Sequence, residues 1–172
     1  MAVTRDEALA TLREGSEAME TLLHGLTEKQ LTRRGAIGGG EWSARDLVAH
    51  LALWEDLALR AVDEWRAGKM PYIETQFRSG DSAIDEINAE YDRATEALSP
   101  ADVRQRAAET HQRLVDTIGA MSDAEWESKA PYEADRRGRL GSLLGSITGA
   151  PKRPFGHAIG HLPDLEAYVR GL

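Results

Sequence analysis

Apolar residues recur at intervals of three or four along most of the chain, which is the spacing of one face of an α-helix. The pattern predicts a first helix over residues 4–23 and a second over residues 43–67. Both helices begin with a hydroxyl N-cap followed three residues later by an acid, namely Thr4 with Glu7 and Ser43 with Asp46. The second helix carries an apolar stripe of Leu47, Leu51, Trp54, Ala58, Ala61 and Trp65.

The second half of the chain has further helix starts. Ser82 and Ser99 are each followed three residues later by an aspartate, and they predict helices that run to about Leu98 and Met121. A last helix is predicted within residues 153–172. Each of these segments again has apolar residues at helical spacing, so each is expected to bury one face.

Two stretches are predicted to be irregular, residues 68–81 and 128–154, because prolines and glycines punctuate them. No stretch reads as a strand. The sequence therefore predicts an all-α bundle of four principal helices joined by long loops. A chain of 172 residues is the size of one domain, so we expect residues 1–172 to form a single unit.

Composition narrows the classes of function. The chain has no cysteine, which excludes disulfides, thiolate metal sites and a catalytic thiol. The formal net charge of -8 argues against a nucleic-acid partner, since such proteins usually carry a basic surface. Neither a signal peptide nor a membrane-spanning apolar run is evident, so we expect a cytoplasmic protein with no membrane partner.

His50 lies inside the apolar stripe of the second helix, one turn after Leu47 and one turn before Trp54. A histidine at that position is expected to be buried or half-buried, so its ring nitrogens need partners. Taken alone, it is interpreted as a core residue bonded to a carbonyl or a carboxylate. His111 occupies a similar stripe in a later helix, and spacing alone does not decide which histidines meet.

His157 and His161 stand four residues apart, which places both on one side of a regular helix. Helical bundles build metal sites from side chains that project inward from facing helices, so His50 could join this pair. Three protein ligands with an open position are typical of catalytic metal sites. Asp164 is a candidate acceptor for an imidazole N–H, outside the ligand set.

Pro163 complicates the last helix, because a proline inside a helix removes a hydrogen bond and crowds the carbonyl four residues earlier. Two outcomes are open. A bend after His161 would keep the four-residue spacing usable, whereas a break between His157 and His161 would separate the pair.

Three segments, taken in order, resemble the DinB-like superfamily and, within it, the ClbS/DfsB branch. The segments are GEWSARDLVAHLALWEDLALRAVDEWRAG, DEINAEYDRATEALSPADVRQ and FGHAIGHLPDLEAYV. The resemblance covers nearly the whole chain. It implies an up-down-down-up four-helix bundle and, in many members, a homodimer.

The resemblance also implies a divalent-metal site. Family members bind the ion through one histidine of the second helix and two of the last, which correspond to His50, His157 and His161. Three imidazoles suit zinc, nickel, iron or, less well, manganese. His111 has no counterpart in the family pattern, and Pro163 departs from that pattern.

Two activities of relatives follow as expectations, namely transfer or isomerisation with a low-molecular-weight thiol and hydrolysis of a reactive small molecule. Asp46, Glu64 and Asp164 are the carboxylates nearest the metal by helical phase, although none is assigned as catalytic. The alternative is a non-catalytic protein that binds or sequesters a small molecule in a pocket lined by Trp54 and Tyr168.

A third interpretation is an interaction protein whose histidines are purely structural. In that case the basic run containing Arg136, Arg137 and Arg139 could bind an anionic ligand, or it could be a solvated loop. Neither the substrate nor the reaction can be derived from these residues.

Overall fold

The computed structural model describes residues 3–35, 37, 42–134 and 137–172. Within these residues it contains no β-strand, only isolated bridges such as that between Ile37 and Trp42. The helices found there are α1 (Arg5–Leu23), α2 (Glu28–Leu31), α3 (Ala44–Arg66), α4 (Tyr72–Ser79), α5 (Asp81–Thr95), α6 (Pro100–Gly119), α7 (Asp123–Trp126), α8 (Leu140–Ile147) and α9 (His157–Arg170). The predicted all-α fold is therefore confirmed.

Helix α3 is the central element. It packs most extensively against α6, and it also contacts α4, α5, α8 and α9. Helix α1 packs against α9 and α6. The helices α1, α3, α6 and α9 thus form the predicted four-helix bundle, while the other helices lie in the connections between them.

The strongest start signals in the sequence are confirmed. The Ser43 hydroxyl accepts a hydrogen bond from the Asp46 N–H at 3.2 Å, and the Asp46 carboxylate accepts one from the Ser43 N–H at 3.0 Å. Thr4 with Glu7 forms the same reciprocal box at the start of α1. These caps satisfy N–H groups that have no partner inside the helix, so they fix where each helix begins.

The loop predicted over residues 68–81 is wrong, because α4 occupies most of it. Gly80 ends α4 and directly precedes α5, with a φ of 97° that glycine adopts at little cost. Helix α5 consequently starts at Asp81 and not after an N-cap at Ser82. Pro71 and Gly80 mark the two ends of a short helix, and the sequence interpretation took them as signs of a loop.

The loop predicted over residues 128–154 is wrong in its middle, because Leu140–Ile147 forms the buried helix α8. Two of the glycines taken as helix breakers are packing positions. A Cβ on Gly141 would lie 2.5 Å from the Trp126 ring, and one on Gly145 would lie 2.9 Å from the Phe155 ring. These residues are small because aromatic rings press on the helix.

Helix α9 answers the question raised by Pro163. The helix runs from His157 to Arg170 with the proline inside it. The Gly160 N–H donates to the Gly156 carbonyl at 2.8 Å, so helical bonding has already begun in the turn that joins the two histidines. The chain does not break between His157 and His161, and their four-residue spacing is kept.

The buried apolar side chains form two clusters, and both include residues of α3. One cluster joins α3 to α6 and α8, and the other joins it to α1 and α9. No helix in the described ranges combines the length and apolar character needed to cross a membrane. That the whole chain forms a single domain stays a prediction.

Candidate metal centre

His50 is held in place by the regular geometry of α3, one turn after the buried Leu47. His50 is 8% exposed. The Trp42 ring lies on one side with its centroid 4.6 Å from that of His50, and the Trp54 ring lies 6.2 Å away in an edge-on orientation. Two tryptophans therefore shield this imidazole from water.

His157 and His161 are presented by the first turns of α9. The His157 N–H donates to the Thr148 carbonyl at 3.0 Å, which anchors the start of the helix to the end of α8. The two imidazole centroids are 5.1 Å apart. Pro163 comes after both histidines. The backbone N–H that a proline lacks is therefore missing from a later turn and does not disrupt the turn between His157 and His161.

The three imidazoles converge. His50 Nε2 lies 3.1 Å from His157 Nε2. One ligand nitrogen from each of His50, His157 and His161 lies within 4.8 Å of the others. In a tetrahedral zinc site, bonds of about 2.0–2.1 Å would separate two ligand nitrogens by about 3.3 Å. The spacing of His50 and His157 thus fits an ion between them, and small side-chain movements would bring in His161.

Burial and mutual repulsion keep these imidazoles neutral. Burial, followed by the charges of His157 and His161, lowers the pKa of His50 from 6.5 to about 2. Burial and the charge of His161 lower the pKa of His157 to about 3. Burial also lowers the pKa of His161, although Asp164 acts in the opposite direction. A neutral imidazole is the form that binds a metal.

The donor set therefore fits a divalent cation. Without an ion, the two facing Nε2 atoms must share one proton, because two unprotonated nitrogens at this distance repel each other. In the part of the chain that the structure describes, none of the three imidazoles bonds a carboxylate or a backbone carbonyl. Three neutral nitrogens aimed at one another are the arrangement that a cation stabilises.

The surroundings include residues that the sequence did not single out. Phe77 of α4 stacks on Trp54 with centroids 6.2 Å apart. The Trp54 indole N–H donates to the Asn88 side-chain oxygen at 3.2 Å, which ties α5 to α3 beside the triad. Trp42 is visible in the sequence only as the residue before the Ser43 cap. Nothing in the sequence connects Phe77 or Asn88 to the histidines.

Some predicted site residues lie at the triad and some do not. Trp54 contacts both His50 and His157. Asp164 is exposed and makes no hydrogen bond with these imidazoles within the described residues, so its effect on His161 is electrostatic. Tyr168 makes its contact elsewhere, since its hydroxyl donates to the Gln30 carbonyl at 2.5 Å.

The remaining charged candidates have other partners. Asp46 caps α3 and accepts hydrogen bonds from Arg45. Glu64 accepts from Arg60 and from the N–H of Tyr72. In the predicted basic run, Arg136 lies outside the described residues. Arg137 contacts Glu74 at 2.6 Å and Arg139 contacts Glu127 at 3.0 Å.

His111 is not part of the triad. Its Nδ1 lies 2.8 Å from the Glu55 Oε1, so it pairs with a carboxylate of α3. Both side chains line a cavity of about 410 Å³ between α1, α3 and α6, and His157 forms part of the same wall. The cavity and the triad are therefore neighbours that share one histidine.

Comparison with known proteins identifies the family and supports the fold. The family model for the DinB superfamily matches residues 11–162. A search of curated proteins finds no significant match. Among solved structures, an uncharacterised protein from Escherichia coli UTI89 is similar with a TM-score of 0.77. It shares 15% identity, and the match covers 98% of this chain and 94% of that chain.

Two further structures share the fold. The colibactin self-resistance protein ClbS, in complex with a double-stranded DNA, has a TM-score of 0.69 and 17% identity, over 98% of this chain and 94% of that chain. DfsB, a sibling lethal factor precursor, has a TM-score of 0.62 and 14% identity, over 99% and 93%. The resemblance predicted from the sequence is therefore confirmed.

One prediction needs correction. The net charge of -8 predicts that the chain has no nucleic-acid partner, and the ClbS complex contradicts that exclusion, because a protein of this fold is seen with DNA. Net charge sums over the whole surface and does not describe any one patch. Lys29, Arg33 and Arg34, for example, are all exposed on a chain that is acidic overall.

Proposed function

This chain belongs to the DinB superfamily, and we propose that it is a divalent-metal-dependent enzyme that acts on a small molecule. The metal ligands in this proposal are His50, His157 and His161. The observation that carries it is the convergence of three neutral imidazoles from two helices, with ligand atoms within 4.8 Å of one another. Three protein ligands leave at least one coordination position for water or substrate.

The protein residues hold and shield the site. Helix α3 fixes His50, and the single unbroken turn from His157 to His161 fixes the other two ligands. Trp42 and Trp54 flank the imidazoles and limit the access of water. Because the rings are already neutral, the histidines lose no net charge when an ion binds, and the proton between the facing Nε2 atoms has only to move to the Nδ1 of its ring.

A divalent ion bound there would act as a Lewis acid that lowers the pKa of a coordinated water or thiol. Zinc, nickel and iron suit three imidazoles, and manganese suits them less well. Since the chain has no cysteine, a thiol would have to arrive as a cosubstrate. We propose low-molecular-weight-thiol transfer or hydrolysis, of a detoxification or self-resistance type, and assign no general base.

A second candidate function is binding or sequestration of a small molecule without turnover, as the ClbS/DfsB alternative implies. The observation that favours it is the cavity of about 410 Å³ beside the triad, which is large enough for a small organic molecule. The role of ClbS as a colibactin self-resistance protein agrees with this candidate. Under this proposal the histidines contribute to binding and not to a reaction.

Metal analysis of protein purified without a histidine tag tests the first proposal. We expect close to one divalent ion per chain, and a His50→Ala, His157→Ala double variant should lose it. His24→Ala is the matched control, because that exposed histidine caps the end of α1 and lies outside the triad. Metal-free wild-type protein that also takes up no zinc, nickel, iron or manganese on titration would refute the proposal.

A further inference from the structure

The cavity between α1, α3 and α6 has a wall in which charged and polar side chains stand among apolar ones. Leu12 and Met19 of α1 face it, as do Val48 and Leu51 of α3. Its volume of about 410 Å³ lies within the usual range for small-molecule sites. Taking about 30 Å³ for each atom, as for water, it holds roughly a dozen non-hydrogen atoms.

Glu55 is one of the charged residues of this wall. Its Oε1 is 2.8 Å from His111 Nδ1, while its Oε2 makes no hydrogen bond to any other described residue. The side chains of Glu55 and His111 are 17% and 18% exposed. A carboxylate oxygen in such a half-buried wall gains from a charged donor, because hydrogen bonds to charged groups are stronger than neutral ones.

The other charged residues of the cavity are already matched. Glu20 of α1 pairs with Arg104 of α6, and these two side chains join the helices at the cavity. The arginine therefore offsets Glu20, whereas Glu55 has no arginine or lysine partner within the described residues. With His111 neutral, the formal charge left on the wall is negative, and it lies beside apolar side chains such as Leu51.

We propose that this cavity binds a small apolar molecule that carries an ammonium group, with the ammonium on Glu55 and the apolar part against Leu12, Met19 and Leu51. His111 is a positioning residue, since its ring holds Glu55 Oε1 and leaves Oε2 for the ligand. The proposal concerns binding alone and needs no metal, so it is independent of the proposed metal-dependent reaction. It rests on the cavity of the second candidate function and names the class of ligand that this cavity takes.

The test compares two probes of equal size, 2-phenylethylamine and 2-phenylethanol, by calorimetric titration of metal-free protein. The amine should bind at least about tenfold more tightly than the alcohol, the effect of one charge-assisted hydrogen bond. Glu55→Gln should remove this preference, because it weakens the binding of the amine far more than that of the alcohol. Glu20→Gln is the matched control and should retain the preference, because Arg104 already offsets that carboxylate.

Location is tested with substitutions on the exposed side of α6. Ala108 lines the cavity, so Ala108→Phe should weaken the binding of both probes, while Ala101→Phe, elsewhere on the same exposed helix surface, should not. Backbone amide shifts of wild-type protein should change at Ala52 and Ala107 on adding the amine, a readout that needs no variant to fold.

Three results would overturn the proposal: absence of binding, equal affinity for the two probes, or an amine preference that survives Glu55→Gln. Amide shifts confined to residues outside the cavity would overturn it as well. Each of these results leaves the metal content of the protein unaffected, so failure here is distinct from failure of the proposed function.

Discussion

The histidine triad and the His111–Glu55 pair both lie between α3 and a neighbouring helix, yet their partners differ. His111 faces a carboxylate at 2.8 Å and is satisfied by it. His50 faces another imidazole at 3.1 Å, and within the described residues the triad has no hydrogen bond with a carboxylate or a backbone carbonyl. Its polar neighbour is the Asn88 side chain, whose hydrogen bond acts to raise the pKa of His50 against the larger effect of burial. An imidazole beside an acid needs nothing further, whereas three imidazoles that face each other are completed by a cation.

The first prediction concerns acid sensitivity of the metal-free protein. His50 and His157 have pKa values far below 6.5 when folded and near 6.5 when unfolded. The unfolded chain therefore binds more protons below pH 6.5, so stability is full above that value and falls as the pH drops towards the folded pKa values. Each histidine contributes up to about 1.4 kcal/mol per pH unit.

Between about pH 6.5 and pH 5, the two residues together should remove up to about 4 kcal/mol of the free energy of unfolding. Urea titrations across this range measure the loss. His157→Leu should reduce the slope, because it removes one of the three histidines whose pKa values are lowered and also removes part of the cause of the shift at His50. A free energy of unfolding that does not change over this range would show that the triad is not buried as described.

The second prediction concerns stabilisation by metal. A site that binds the folded chain alone stabilises it by about 2.7 kcal/mol when the ion is at a hundred times its Kd. For a chain of this size, that corresponds to a rise in Tm of about 5–10 °C. Calorimetric scans with zinc should show this rise for wild type and for His111→Ala, and little or none for His161→Ala.

If His111→Ala abolished the rise in Tm, the distinction between the two groups of histidines would be wrong, since His111 would then be a ligand. If His161→Ala kept the full rise, the site would consist of His50 and His157 alone. His111→Ala thus tests whether His111 is outside the metal site, and His161→Ala tests whether His161 is inside it.

The third prediction separates the fold from the site. A Cβ on Gly141 would lie 2.5 Å from the Trp126 ring, which is too close without movement of one of them. Gly141→Ala should lower the free energy of unfolding by about 1–3 kcal/mol through overpacking. Metal content should not change, because α8 contributes no ligand. Gly119→Ala is the matched control, since no atom lies within 4 Å of its added Cβ.

The parts of the fold that local chemistry determines could be predicted. Ser43 with Asp46, and Ser99 at the start of α6, are complete cap motifs in the sequence, and both are found. His50 could be placed because it lies within an apolar stripe. The last helix was harder, since Pro163 left a break and a bend equally open until the structure showed a continuous α9.

The parts that depend on distant contacts could not be predicted. Gly141 and Gly145 look like helix breakers in the sequence. They are glycines because the rings of Trp126 and Phe155 leave no room for a larger side chain, and neither ring is a near neighbour along the chain. Asn88 reaches the triad only because α5 folds back on α3. The pairing of His111 with Glu55, across two helices, likewise has no local signal.

The most direct test of the central claim is a crystal structure of the protein grown with zinc, with data collected on both sides of the zinc absorption edge. We predict one anomalous peak per chain, about 2.0–2.1 Å from a ring nitrogen of each of His50, His157 and His161. An absent peak, or a peak at His111 and Glu55 with none at the triad, would contradict the account.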